Sequence, residues 1–127
     1  MRLLLDTHIA LWALADSPRL SPKARALLDD ADNECWVSSA SAWELAIKIK
    51  LGKHRMKFSF AELEGAVAIA GFQALPVTIR HALAIDSIDS PHADPFDRLL
   101  LAQCQTETLR LLTADKRLVG LSLAIPA

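Results

Sequence analysis

Four acidic side chains occupy positions from which carboxylates could act together. Each lies at or near the start or the end of an expected helix or strand: Asp6, Glu44, Asp97 and Asp115. Four carboxylates within about 5 Å repel by roughly 1 to 3 kcal/mol per pair, so such a cluster is reasonable only around divalent cations. An all-oxygen donor set suits Mg²⁺, with Mn²⁺ as a substitute, better than Zn²⁺. The chemistry that this pattern predicts is metal-assisted hydrolysis of a phosphodiester bond.

Asp6 and Glu44 each have a structural explanation beside the chemical one. Asp6 directly follows a short apolar run, where it either caps the next helix, a role that Thr7 could also take, or binds a cation. Glu44 ends the stretch Ser41-Ala42-Trp43-Glu44, which matches a capping box with a serine cap. A helix that begins two residues earlier, capped by Ser38 or Ser39, would instead project Glu44 from its second turn. Both interpretations stay open at this level.

The segment from His92 to Arg98 holds the densest group of polar residues. Asp94 precedes Pro95, which predicts that Asp94 is the N-cap of a helix. Asp97 then lies in the first turn, where it either offsets the helix dipole or binds metal. His92 is expected to be a loop hydrogen-bonder, and Arg98 an ion-pair partner.

The remaining acid, Asp115, closes a predicted strand over 109–113. Its structural alternative is a turn acid that pairs with Lys116 or Arg117. Asp115 is ordinary by itself, and only its place beside the other three acids suggests a role in chemistry.

Basic residues crowd the ten positions beside the Glu44 helix: Lys48, Lys50, Lys53, His54, Arg55 and Lys57. A solvated helix C-terminus explains them, because that end of a helix favours cations. Beside a phosphodiesterase site the same residues could contact an RNA backbone. We take Lys48, Lys50 and Lys53 as candidate nucleic-acid contacts.

The elements that must position these residues alternate between strand and helix. We expect strands at 3–5, 34–38, 74–77 and 109–113, with one more at 122–125. We expect helices at 8–15, 22–31, 41–51, 60–70, 78–85 and 94–106, two of them stopped by Gly52 and Gly71. This alternation predicts a parallel sheet covered on both faces, with ligands beyond the carboxyl ends of its strands.

Composition restricts the class of protein further. Hydrophobic residues make up 52% and charged residues 23% of the chain, which excludes intrinsic disorder. The net charge of −1 gives no global attraction to nucleic acid, so such a partner needs a local patch or a metal. Two cysteines are too few for a disulfide framework, and no signal or membrane-spanning segment is visible. We therefore expect one soluble cytoplasmic domain over 1–127.

Five short motifs, taken in order along the chain, resemble those of a known family: Leu3-Leu4-Leu5-Asp6-Thr7-His8, Val37-Ser38 followed by Trp43-Glu44-Leu45-Ala46-Ile47-Lys48, Leu51-Gly52-Lys53, His92-Ala93-Asp94-Pro95-Phe96-Asp97-Arg98-Leu99-Leu100, and Leu112-Thr113-Ala114-Asp115. Each is weak alone, but the ordered set is specific. It resembles the PIN-domain ribonucleases of the VapC toxin type, from prokaryotic toxin–antitoxin pairs.

The resemblance carries implications for each motif residue. It places the family's acidic quartet on Asp6, Glu44, Asp97 and Asp115, and gives Asp94 and Thr113 supporting positions near the metal. It further implies an α/β/α sandwich around a parallel sheet and Mg²⁺-dependent cleavage of RNA. The partners that it implies are a second copy of the chain and a VapB-like antitoxin.

Two other functions fit parts of the sequence. Leu3-Leu4-Leu5-Asp6 also opens phosphatases of the haloacid-dehalogenase type, but those have a second acid where this chain has His8. A catalytically inactive PIN-like module that binds RNA or acts as a scaffold would lack one of the four acids, and none is missing here.

Overall fold

A parallel sheet flanked by helices makes up the computed structural model, which describes residues 1–52, 60–88 and 94–127. Its strands within those ranges are β1 Arg2–Leu5, β2 Glu34–Ser38, β3 Gln73–Leu75, β4 Arg110–Thr113 and β5 Ala124–Pro126. They lie in the order β3-β2-β1-β4-β5, and every neighbouring pair is parallel. This confirms the α/β class and the PIN-like three-layer α/β/α sandwich expected from the sequence.

The helices of the described ranges are α1 Thr7–Leu14, α2 Pro22–Asp29, α3 Ser39–Lys50, α4 Phe60–Ile69, α5 Ile79–Ala84 and α6 Pro95–Glu107. A short 3₁₀ turn, Ile85–Ser87, follows α5. Two predicted starts are confirmed, because Ser21 caps α2 before Pro22 and Asp94 caps α6 before Pro95. Gly52 and Gly71 follow α3 and α4 with positive φ angles, which a glycine adopts without steric cost.

The core explains why β1 is an unbroken apolar run. Leu4 packs in one buried cluster with Leu111, while Leu3 and Leu5 pack in a second cluster with Leu112. Because successive strand side chains point to opposite faces, β1 and β4 are covered on both sides of the sheet. The two central strands are thus rigidly held where their carboxyl ends meet.

The structure decides the start of α3 against the capping box. Ser38 is the N-cap, its Oγ accepting a hydrogen bond from Ala40 N at 3.0 Å, and α3 begins at Ser39. The capping-box interpretation of Ser41 is therefore wrong. The helix follows β2 without a connecting residue, so the first available serine hydroxyl caps it. Glu44 consequently projects from the second turn.

Several predicted elements are shorter in the structure, among them β3 and α2. Strand β3 ends at Leu75 rather than at 77, since Pro76 has no N–H to donate to a neighbouring strand. Helix α2 ends at Asp29. The predictions for Lys53 and His92 lie outside the described residues.

Candidate functional site

Two of the acidic residues, Asp6 and Asp115, lie where the strand order of the sheet changes direction. From β1 the strand order runs one way through β2 and β3, and the other way through β4 and β5. In open parallel sheets, ligands bind beyond the carboxyl ends of the strands at this switch point. Asp6 follows β1 and Asp115 follows β4, and the parallel register pairs Leu5 with Leu112. The two acids therefore emerge at the same edge of the sheet.

Thr113 links Asp6 to Asp115. The fully buried Thr113 hydroxyl donates to Asp6 Oδ2 at 2.6 Å and accepts from the Asp115 backbone N–H at 3.0 Å. The residue that the family resemblance placed near the metal thus holds the two acids at a set distance. A change of Thr113 would disturb both of them.

Thr7 links Asp6 to Glu44. Asp6 Oδ1 accepts from the Thr7 backbone N–H at 2.7 Å, and the Thr7 hydroxyl bonds Glu44 Oε1 at 2.7 Å and Ser41 Oγ at 3.0 Å. Asp6 is also the N-cap of α1. The two interpretations of Asp6 are therefore compatible, because its first oxygen caps α1 while its second meets Thr113.

Glu44 is a buried carboxylate whose charge is compensated within the chain. Its side chain is 7% exposed, and its Oε2 accepts from Lys48 Nζ at 2.7 Å one turn along α3. Burial of an unpaired carboxylate would be costly, so this ion pair stabilises the acid in its place. Lys48, a candidate RNA contact, is the partner of Glu44 in this ion pair, and Lys50 is exposed.

Burial raises the pKa of Asp6 above its ordinary value. The hydrogen bonds from Thr113 and Thr7 and the charge of His8 act in the opposite direction, and the nearby Glu44 raises the pKa further. Ionised Asp6 is thus less stable in the fold than its hydrogen bonds alone suggest. Such a carboxylate gains from a proton or a cation placed beside it.

The α6 acids lie at the helix N-terminus as predicted. Asp94 Oδ1 accepts from Phe96 N at 2.8 Å and from Asp97 N at 3.3 Å, which confirms its capping role. Asp97 lies in the first turn and is buried, with 8% of its surface exposed. Helix α6 packs against α3, the helix that carries Glu44.

Arg117 is the cation that pairs with Asp115. Asp115 Oδ1 accepts from Arg117 Nε at 3.1 Å, and Oδ2 accepts from Nη2 at 2.9 Å, so the turn-acid pairing expected for Asp115 is present. This bond raises the pKa of Arg117, and the charges of Asp115, Asp97 and Asp94 raise it too. Asp97 and Asp115 therefore both act on one guanidinium.

The structure links Asp6, Glu44 and Asp115 through Thr7 and Thr113 without collecting the acids into a tight shell. Among the described residues, no three His, Cys, Asp or Glu side chains form a group that could hold a metal ion as they stand. Asp6 contacts the residues that bind Glu44 and Asp115, and the charges of those two acids are balanced by Lys48 and Arg117.

The chemistry of the donors nevertheless fits a hard divalent cation. The predicted ligands offer carboxylate oxygens alone, which is the donor set of Mg²⁺ and Mn²⁺. Asp6 and Asp115 face a cleft of about 400 Å³ with room for water and phosphate. Of the four predicted ligands, Asp6 and Asp115 line this cleft, whereas Glu44 and Asp97 do not.

Sequence reasoning gave Thr7 only a possible capping role and Arg117 only a possible ion pair. Thr7 stands next to Asp6, but its bond to Glu44 joins residues 37 positions apart. No local pattern signals such a contact. Arg117 could be found from its place two residues after Asp115, a spacing common in turns.

Comparison with known proteins places the chain in a family. A family model described as "PIN domain" matches residues 3–122. Ribonuclease VapC22 of Mycobacterium tuberculosis is 32% identical over 118 residues, which cover 91% of this chain and 88% of that protein.

Solved structures share the fold at low sequence identity. A VapBC2 complex from Rickettsia felis, bound to a promoter DNA fragment, superposes with a TM-score of 0.63 at 14% identity, covering 100% of this chain and 98% of the other. A toxin–antitoxin complex from Klebsiella pneumoniae also gives 0.63, at 20% identity over 97% of this chain and 95% of that one. At these identities the likeness supports the fold alone.

Proposed function

This chain belongs to the PIN-domain family, as a ribonuclease of the VapC toxin type, and on that basis we propose that it is a Mg²⁺-dependent endoribonuclease acting at Asp6, Glu44, Asp97 and Asp115. The family membership supports a hydrolase that acts on RNA. The metal dependence and the four-acid site are the finer part of the proposal. They are supported by the hydrogen-bond network that ties Asp6 to its neighbours at the switch point of the sheet.

The network assigns separate tasks to the side chains. Thr113 and Thr7 fix the two oxygens of Asp6, so that this acid needs little reorganisation when a substrate arrives. Thr7 also fixes Glu44, and Lys48 forms an ion pair with that acid. Mg²⁺, when bound, supplies activation of water and neutralisation of charge on the phosphate. The carboxylates hold it and orient the attack.

The burial of Asp6 beside the cleft, which also raises the pKa of its carboxyl, is the single observation that best supports a cation at this point. A buried acid held in place by two hydrogen bonds, yet destabilised in its charged form, gains most from an added positive charge. A purely structural cap would be expected at an exposed helix end, where water hydrates the carboxylate.

Incubation of the purified protein with total cellular RNA tests the proposal. With Mg²⁺ we expect cleavage, and with EDTA none. Asp6→Asn should abolish cleavage, whereas Asp32→Asn, the same change in an exposed turn, should retain it. Equal cleavage in EDTA would overturn the metal dependence. Binding of RNA without cleavage, with Mg²⁺ or Mn²⁺ present, would favour the inactive RNA-binding module.

We also propose that the chain forms a homodimer and is inhibited by a VapB-like antitoxin. Two exposed apolar stripes support protein partners. Trp43 and Ile47 on α3 and its C-cap Leu51 repeat every four residues, and on α5 Ile79 and Leu83 do the same. Trp12 is partly buried against the core.

A cytoplasmic location and a single domain over 1–127 complete the proposal. Cys35 and Cys104 are both free and buried, as suits a reducing compartment. Burial raises the pKa of Cys104 to about 12, so its thiol is unreactive. Among the described residues no helix is long and apolar enough to cross a bilayer.

A further inference from the structure

A cleft opens directly outside two of the candidate acids, and its other walls are aromatic and cationic. Asp6 and Asp115 line it together with Trp12, Arg19 and Arg117. Its volume of about 400 Å³ lies within the range of small-molecule sites in proteins. A group of that size bound here would lie beside the carboxylates.

The aromatic wall is held rigidly. Trp12 lies one turn after His8 on α1, with ring centroids 5.9 Å apart and planes inclined by 46°. One part of the indole packs against the buried cluster that contains Leu5 and Ile9, and another part borders the cleft. A preformed indole surface needs little ordering when a second flat ring stacks on it.

The cationic wall has hydrogen-bond donors to spare. Arg19 lies in the exposed turn between α1 and α2, and its guanidinium makes no hydrogen bond or ion pair with the described residues. Arg117 donates two of its side-chain N–H groups to Asp115. Since a guanidinium has five, three remain for another acceptor.

A flat ring surface and two guanidiniums beside carboxylates match the parts of one nucleotide. A base offers a π-face, and the backbone offers phosphate oxygens that arginine binds through its planar fork. An acidic peptide would use the arginines but not the indole, and a hydrocarbon ligand would use only the indole. The match is best for unpaired nucleic acid, whose bases are free to stack.

We propose that this cleft binds one nucleotide of single-stranded RNA next to the cleaved bond, with its base stacked on Trp12 and its phosphate on Arg19 and Arg117. The assignment rests on the proposed ribonuclease function, which it deepens by naming the form of the substrate. It makes recognition tolerant of base identity, because every base has a π-face. It also makes double-stranded RNA a poor substrate.

Binding of a labelled RNA of ten nucleotides, measured by fluorescence anisotropy in EDTA, tests the cleft without cleavage. Trp12→Leu keeps apolar volume against the core but removes the stacking surface, and should weaken binding by roughly 5- to 100-fold. Trp12→Phe should restore most of the affinity. A strand of the same length without bases should bind wild type and Trp12→Leu alike.

The arginine part is tested through the salt dependence of binding. Loss of one phosphate contact to a single strand should lower the slope of log K against log salt by about 0.7. Arg19→Ala should show this change with both strands. Arg80→Ala, an exposed arginine on α5 far along the chain from the cleft, should leave the slope unchanged.

The outcomes separate this inference from the ribonuclease proposal. If wild type cleaves RNA with Mg²⁺ but Trp12→Leu binds and cleaves as well as wild type, the cleft is wrong and the ribonuclease stands. If wild type does not cleave, yet Trp12→Leu and Arg19→Ala bind as described, the cleft stands without the enzyme. Equal loss of affinity for both strands in Trp12→Leu would overturn stacking, since loss of structure would then explain it.

Discussion

Asp6→Asn removes one negative charge from the candidate site while it keeps the size of the side chain. Asparagine Oδ1 can still accept from the Thr7 backbone N–H, so α1 keeps its cap. The substitution therefore separates the charge of Asp6 from its structural role. We expect loss of RNA cleavage and a metal-free fold that is as stable as wild type or more so.

The structure sets the magnitude of the stability change. Asp6 Oδ1 and Glu44 Oε1 each lie 2.7 Å from atoms of Thr7, so the two carboxylates are at most about 8 Å apart. At that distance their repulsion is about 0.5 kcal/mol in a water-like dielectric and about 2 kcal/mol at an effective constant of 20. The Thr113 hydroxyl loses its charged acceptor, which costs about 1 kcal/mol. Burial also destabilises ionised Asp6, and the substitution removes that cost. The expected net gain in the free energy of unfolding is therefore about 0 to 2 kcal/mol.

Thermal melts in EDTA and in Mg²⁺ measure both halves of the prediction. In EDTA, each kcal/mol of added stability should raise the Tm by about 4 °C for a chain of this size. Added Mg²⁺ should stabilise wild type by about 2.7 kcal/mol at one hundred times its Kd, and Asp6→Asn by less. Asp32→Asn, which removes an exposed charge, should behave as wild type in both solutions.

The pH dependence of the free energy of unfolding tests the direction of the stability change independently. Because the folded pKa of Asp6 is raised, the protein binds this proton more tightly when folded, and wild type loses stability as pH rises from about 4 through the folded value. The asparagine has no such loss. The free energy of unfolding that Asp6→Asn gains over wild type in EDTA should therefore be small below pH 4 and should grow as pH rises through the folded pKa of Asp6.

Two results would refute this reasoning. An equal Mg²⁺ shift in wild type and Asp6→Asn, together with retained cleavage, would remove Asp6 from the metal site. A Tm of Asp6→Asn several degrees below that of wild type in EDTA would show that the hydrogen bonds of ionised Asp6 outweigh the cost of its burial and its repulsion by Glu44.

Other contacts give further expectations. Thr7→Val removes the hydroxyl that binds Glu44 and should lower kcat about 10-fold, while Thr7→Ser should retain activity; equal rates for both variants would dismiss the positioning role. His81→Leu removes the acceptor of the Thr78 N–H and should cost about 1 kcal/mol in urea unfolding, with unchanged activity per folded molecule. Alanine at Lys50 and Lys53 together should weaken RNA binding and lower its salt slope by about 1.4, and an unchanged slope would leave these lysines as a solvated helix end. Light scattering should find a dimer that Leu83→Glu converts to a monomer if the α5 stripe forms the interface, whereas a wild-type monomer at micromolar concentration would contradict dimerisation.

Local patterns were sufficient for most of the elements. Ser21 before Pro22 and Asp94 before Pro95 each predicted a helix start that the structure contains, because capping depends on residues only two or three positions apart. The apolar run of β1 predicted a strand covered on both faces for a similar reason, since successive side chains point to opposite faces and all of them are apolar. The α/β class follows from the alternation of such elements.

The start of α3 was undecided by sequence because three serines compete for it. Ser38, Ser39 and Ser41 can each cap a helix, and their local hydrogen bonds have similar free energies. Burial of Ala40 and Leu45 against the rest of the protein selects the earliest start. That choice, made by packing, turns Glu44 from a possible cap into a buried partner of Thr7.

The sequence by itself thus determined which residues could form a site, and only the tertiary structure decided how they meet. The bond from Thr113 to Asp6 spans 107 residues and depends on the parallel pairing of β4 with β1. The bond from Thr7 to Glu44 depends on α3 packing against α1. Hydrogen bonds form over about 3 Å, whereas sequence patterns predict an element to within a turn of helix, so contacts between distant elements follow from packing rather than from local spacing.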